Sequence, residues 1–305
     1  MKKDLLSIST LDREDIEQLV EQALVMKQGG MRCLLPWRSV ALLFEKPSLR
    51  TRVSFELAVT QLGGHCMYLS PAEVGLGKRE PVPDVSRVLS RYVDCIVARV
   101  FNHKTLAELA EFSSVSVINA LSDWEHPCQA LADLLTIREH RGALAGVHLA
   151  YVGDGNNVAR SLCLAAGTVG MHFAIATPHG YGLDDETVER ARALADASGA
   201  QLLVTQDPTE AVAGADVVYT DTWTSMGQEE EAEVRRRVFS SYQVNDSLLS
   251  GAKDGAIFMH CLPAHHGEEV TSEVLNGSAS VVFDEAENRL HAQKAVLAQI
   301  LIPAD

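Results

Sequence analysis

Apolar positions along the chain follow two alternating rhythms. Leu11 to Gln28 carries them at helical spacing, Ser39 to Phe44 is an unbroken apolar run of strand length, and Thr51 to Leu62 returns to helical spacing. The alternation continues with a strand at Cys95 to Val100, a helix at Leu106 to Phe112, a strand at Val115 to Ile118 and a long helix at His126 to His140. A second series opens with a strand at Val147 to Val152 and predicts further strands near Phe173, Leu202, Val217 and Ile257, with helices between them. Strands that are apolar throughout need both faces covered. The pattern therefore predicts an α/β fold of two doubly wound domains, each a parallel sheet flanked by helices.

The polar, glycine-containing stretch Arg138 to Leu144 lies near the midpoint and places the domain boundary there. That gives a first domain over 1–140 and a second over 141–290, with 291–305 as the end of a last helix, Glu285 to Ile302, expected to pack back on the first domain. A length of 305 residues agrees, because it exceeds what one core usually serves.

Composition narrows the function classes. The chain is 47% hydrophobic and 22% charged, with a formal net charge of -15. Nucleic acid and anionic membranes demand a broad basic footprint, so neither is an expected partner. No apolar run reaches the ~18 residues a bilayer requires, and the N-terminal stretch acquires acids before any apolar core, so a cytoplasmic protein without a signal peptide is expected. The six cysteines are scattered without C-x-x-C spacing, which argues against a disulfide framework or a zinc knuckle.

Against that acidity, Phe44 to Glu56 (FEKPSLRTRVSFE) gathers Lys46, Arg50 and Arg52 with hydroxyls at Ser48, Thr51 and Ser54. A strand ends and a helix begins here, and free N–H groups at a helix start, joined by hydroxyls and a guanidinium, make an anion site. The same charges could instead form a solvated helix face, and Arg52 could pair with Glu56 one turn on. In LSDWEHPCQALADL, His126 and Gln129 share one helix face, while Arg99 ends a strand where α/β sheets present ligand groups. YVGDGNNVARS resembles a dinucleotide fingerprint but puts Val158 at the third glycine, and the next strand ends in Thr177-Pro178 with no acid for a ribose. A nicotinamide cofactor is not expected. His260, Cys261, His265 and His266 invite a zinc reading, yet no compact second cluster completes a tetrahedral site, so no metal is expected. Cys261 reads as a site residue or as a small buried hydrophobe.

Taken in order, S-x-R-T-R at Ser48 to Arg52, H-P-C-Q at His126 to Gln129, D-x-x-x-S-M-G at Asp221 to Gly227, H-C-L-P at His260 to Pro263 and AENR at Ala286 to Arg289 resemble the carbamoyltransferase family over essentially the whole chain. S-M-G with H-C-L-P points to its ornithine branch rather than its aspartate branch. The resemblance implies transfer of a carbamoyl group from carbamoyl phosphate to the δ-amine of L-ornithine, a reaction of arginine biosynthesis that needs no cofactor. It implies that Ser48, Leu49 through its backbone, Arg50 and Thr51 cradle the phosphate. Arg99 and His126 would reach the carbonyl oxygen, and Gln129, the backbone at Cys261 and Leu262, and Arg289 would hold the carbamoyl end. Asn157, Asp221, Ser225 and Met226 match residues that hold ornithine, with Asp221 and Cys261 orienting or deprotonating the amine. A homotrimer is implied, in which the loop Pro71 to Pro83 reaches a neighbouring subunit's site.

Two positions depart from the family pattern: Leu49 lacks a hydroxyl often found there, and Gly75 replaces a common glutamine. Alternatives are a carbamoyltransferase for putrescine or N-acetylornithine, or a catalytically silent anion-binding protein. The last would predict a degraded second domain, and both halves keep their motifs.

Overall fold

The computed structural model describes residues 3–30, 33–224 and 228–302. The chain forms two compact units, Met1–Leu135 with Glu287–Asp305, and Thr136–Ala286. Both divisions fall inside helices, Pro127–Arg141 and Val282–Leu301, where hydrophobic periodicity carries no boundary signal.

The first unit holds strands β1 (Ser39–Phe44), β2 (His65–Leu69), β3 (Cys95–Arg99) and β4 (Ser116–Leu121) in the order β2-β1-β3-β4. All pairings are parallel. Strand β2 is not among those expected from periodicity: this edge strand is only half buried, and its apolar run, Cys66 to Leu69, is short. By contrast β3 is buried at every residue. The chain steps from β1 outward to β2 and then back across to β3, and at this reversal Phe44 and Arg99 are register partners. A sheet that reverses its progress leaves a crevice beyond the carboxyl ends of the two strands, and ligands bind there.

The second unit repeats the device. Strands β5 (His148–Val152), β6 (His172–Ala176), β7 (Leu202–Thr205), β8 (Val217–Thr220) and β9 (Ile257–His260) are ordered β7-β6-β5-β8-β9, again all parallel. The reversal lies between β5 and β8. Val152 pairs with Thr220, and Thr220 with His260, so the segments beginning at Gly153, Asp221 and Cys261 leave the sheet along one edge. On the segment that begins at Asp221, the Trp223 ring stands 5.8 Å from that of Phe239, which in turn is 6.1 Å from Tyr242.

Capping sets where the site helices start. Ser48 is extended and its hydroxyl accepts from the Thr51 N–H at 3.3 Å, so the helix Leu49–Gln61 begins two residues earlier than the apolar pattern of Thr51 to Leu62 suggests. Asn156 caps the helix Asn157–Val169 in the same way, accepting from the Val158 and Ala159 N–H groups at 2.9 and 3.1 Å.

Candidate active site

At the first reversal the cations are held by different means. Arg99 closes β3 and is buried, and its carbonyl accepts the Glu45 N–H at 2.8 Å. Lys46 is buried over the Phe101 ring, 4.5 Å from the centroid. Arg289 is buried and donates to Gln129 Oε1 at 2.5 Å and to Thr51 Oγ1 at 3.3 Å, while Gln129 Nε2 donates to Asp133 Oδ1 at 2.7 Å. Thr51, Arg289 and Gln129 thus lie in one hydrogen-bonded chain that ends on a buried carboxylate, Asp133, which the motif reading missed. Its signal was an acidic residue one turn after Gln129, set between the apolar Ala132 and Leu134. His126, next to the helix Pro127–Arg141, is also buried; burial first, then Arg289 and Arg99, hold its imidazolium well below the usual range, so the ring is neutral near pH 7.

Arg50 and Leu49 are exposed on the first turn of the helix Leu49–Gln61. With its side chain 77% exposed, Leu49 offers the helix start its main-chain N–H. Arg52 takes the structural role: it pairs with Glu56 at 2.8 Å and lies over the Tyr68 ring, 4.0 Å from the centroid.

At the second reversal the centre is Asp221. Its Oδ1 accepts from the Thr222 N–H at 2.7 Å and from Cys261 Sγ at 3.0 Å, and its Oδ2 accepts from Asn156 Nδ2 at 2.7 Å. Cys261 is therefore engaged with a site carboxylate rather than packed as a hydrophobe. Asn156, rather than the neighbouring Asn157 that the family resemblance singles out, makes the contact with Asp221; Asn157 is the first residue of the helix that Asn156 caps. Ser225 and Met226 lie outside the described residues. Just before them the Trp223 carbonyl accepts from Arg235 Nη1 at 2.8 Å, and the same nitrogen stands 3.2 Å from Asp154 Oδ2. Burial outweighs Arg235 and pushes the Asp154 carboxyl up to about 6, with Asp221 adding to the rise. The glycine of the fingerprint-like stretch serves the chain itself: a Cβ on Gly155 would lie 2.4 Å from the Gly182 carbonyl carbon.

The H-C-L-P turn is anchored from behind. The fully buried His260 accepts the Leu262 N–H on Nδ1 at 2.9 Å and meets Glu269 Oε1 through Nε2 at 3.1 Å. Its own N–H donates to Glu285 Oε2 at 2.9 Å, and Glu285 Oε1 accepts the Tyr219 hydroxyl at 3.1 Å. Burial alone would raise the Glu269 carboxyl, but hydrogen bonds from His260 and from the His265 N–H hold it below its ordinary value. Leu262 sits at φ 54, the left-handed region that a residue with a Cβ rarely adopts, and the Leu262-Pro263 bond is cis.

Possible metal-ligating atoms of Asp221, His260 and Cys261 lie within 4.8 Å of one another, as do those of His265, Glu268 and Glu269. Both ring nitrogens of His260 are already hydrogen-bonded, which removes it as a ligand. His266 belongs to neither group and contacts Ser272 Oγ at 2.9 Å.

Two family models match the chain: the carbamoyl-P binding domain of aspartate/ornithine carbamoyltransferase over residues 3–139, and its Asp/Orn binding domain over 145–300. The chain is similar to the ornithine carbamoyltransferase of Anoxybacillus flavithermus, 52% identical over 98% of this chain and 96% of that one. The ornithine carbamoyltransferase of Archaeoglobus fulgidus is also 52% identical, over 98% of this chain and 97% of that one. Among solved structures, the ornithine carbamoyltransferase of Pyrococcus furiosus superposes with a TM-score of 0.94 at 50% identity, over 98% of this chain and 96% of that one. The anabolic ornithine carbamoyltransferase of Campylobacter jejuni gives 0.95 at 40% identity, over 98% and 99%.

Proposed function

The chain belongs to the aspartate/ornithine carbamoyltransferase family, and from that premise we infer that it transfers the carbamoyl group of carbamoyl phosphate to the δ-amine of L-ornithine, giving L-citrulline and phosphate in arginine metabolism. The observation that carries the donor half is the anion cradle of the first unit: a helix N-terminus beside buried Arg99 and Arg289, with a neutral imidazole at His126.

Ser48, the Leu49 N–H, Arg50 and Thr51 take the phosphate, as free N–H groups and a guanidinium suit a multi-oxygen anion. Arg99 and His126 donate to the carbonyl oxygen, with Arg289, positioned by Gln129, beside them; carbonyls at Cys261 and Leu262 accept from the carbamoyl NH2. The lone pair of the neutral δ-amine forms the new C–N bond and the carbonyl π pair moves to oxygen. The C–O bond to phosphate then breaks with its pair, and the proton lost from the amine ends on the departing phosphate. Fixed donors at the oxygen and at the leaving group stabilise charge where it develops, without reorganising.

Asp221 takes the α-ammonium of ornithine, with Asn157, Ser225 and Met226 completing the amino-acid contacts and Cys261 beside the reacting amine. A site that hydrogen-bonds a polar group rejects an analogue lacking it by about 10⁴-fold. In competition at equal acceptor concentrations and saturating carbamoyl phosphate, ornithine should therefore exceed putrescine, N-acetylornithine and aspartate by orders of magnitude in kcat/KM. Comparable use of putrescine or N-acetylornithine would remove the roles given to Asp221, Ser225 and Met226 while leaving the carbamoyltransferase reading in place. No helix among the described residues is long and apolar enough to cross a membrane. The reading extends to a cytoplasmic homotrimer in which the loop Pro71 to Pro83 reaches a neighbouring subunit; light scattering giving another mass than three chains would refute the trimer.

A further inference from the structure

We propose that His260 and Glu269 form a positioning pair that sets the Cys261–Leu262 turn so that its carbonyls face the carbamoyl NH2, an inference that rests on carbamoyl phosphate being the donor. A main-chain N–H can only donate, so the bond from Leu262 to His260 Nδ1 makes that nitrogen the lone-pair one. The proton of the neutral ring then sits on Nε2 and donates to Glu269 Oε1. The carboxylate is fully buried and also accepts the His265 N–H at 2.6 Å, which fixes it from the far end of the same loop. At the other side Glu285 holds the His260 N–H. The ring is thus held through Nε2 and the residue's main chain through its N–H, which leaves Nδ1 one function: to hold the N–H of a residue at φ 54.

That hold matters because a left-handed leucine costs roughly 1–2 kcal/mol against an ordinary conformation and persists only where its surroundings fix it. With its N–H committed to His260, the polar main-chain group that Leu262 can offer a substrate is its carbonyl. A carbamoyl NH2 donates and needs such acceptors, whereas a phosphate oxygen would be repelled by them. The pair therefore sorts the turn into an acceptor surface without touching substrate itself.

The test uses full-length protein and two non-reactive phosphonates: phosphonoacetamide, which carries the amide NH2, and methylphosphonate, which lacks it. Calorimetry should show His260→Phe and Glu269→Leu weakening phosphonoacetamide by at least about tenfold, the scale of one buried hydrogen bond, with methylphosphonate binding within about twofold of wild type. Two conservative variants guard against simple misfolding. Asn at 260 can still accept the Leu262 N–H and Gln at 269 can still accept from the ring, so His260→Asn and Glu269→Gln should restore most of the phosphonoacetamide affinity. Loss of both ligands in equal measure in soluble variants, or no loss of either, overturns the positioning role. Wild type that binds neither ligand overturns the donor reading itself, and the inference with it.

Discussion

Arg50 and Arg99 are the residues on which the chemistry should be most sensitive. In the proposed reaction each would place a permanent cation where negative charge grows, and removing one such donor costs roughly 100-fold or more in rate. Arg50→Ala, on an exposed first turn, should lower kcat/KM by that order with an unchanged melting temperature, as steady-state assays and calorimetry together would show. Leu49 gives the opposite expectation. Leu49 is exposed and its proposed phosphate contact is through the main chain, so Leu49→Ser should leave kcat/KM within about twofold. Asn156 combines two functions, capping a helix and holding Asp221. Asn156→Ala should cost about 1 kcal/mol of stability for the cap and raise the KM for ornithine more than that for carbamoyl phosphate.

The helix Leu49–Gln61 allows structure and chemistry to be separated at one position. Aspartate is as good a cap as serine and suits the positive end of the helix dipole, but it puts an anion where the phosphate should sit. Ser48→Asp should therefore melt at or above Ser48→Ala while being the less active of the two; an active Ser48→Asp enzyme would place the phosphate elsewhere. At Gly75 the constraint is geometric. It ends the short helix Pro71–Val74 at φ 55, and a Cβ there would lie 2.8 Å from Arg79 Cβ. The family's common glutamine is thus excluded by this loop's own conformation, and Gly75→Gln should lower the melting temperature. Elements built on long apolar runs, such as β3 and β5, are readable from the sequence because burial on both faces leaves one solution. The edge strand β2 is not, since a short, half-buried apolar run satisfies a loop as well as a strand. In the site, Arg99, His126, Asp221 and Cys261 stand out because they fall at strand ends and a helix start, where α/β sheets present ligand groups. Glu269 does not, because its importance lies in which loop atoms it bonds, His260 Nε2 and the His265 N–H, and periodicity does not encode that.

For the whole molecule the buried neutral His126 makes stability depend on acidity. In the folded protein it binds a proton less readily than in the unfolded chain, so unfolding takes up protons and stability falls as pH drops below the unfolded value of about 6.5. Asp154, whose carboxyl lies at about 6 in the fold, contributes in the reverse sense, its share being lost as pH rises through that value. Comparing melting temperatures of wild type and His126→Gln from pH 7.5 to 5.5 isolates the first effect: the variant should lose less on acidification. A parallel slope in the two proteins would mean that His126 is not held neutral by the fold. The two sheet reversals have a consequence of a different kind. The hydrogen-bonded chain Thr51–Arg289–Gln129 lies wholly in one unit, and the network of Asn156, Asp221 and Cys261 lies wholly in the other. A lineage, or an engineer, can therefore redraw the choice of nucleophile by altering the loops after β5 and β8 alone, with the machinery that activates the acyl donor inherited unchanged.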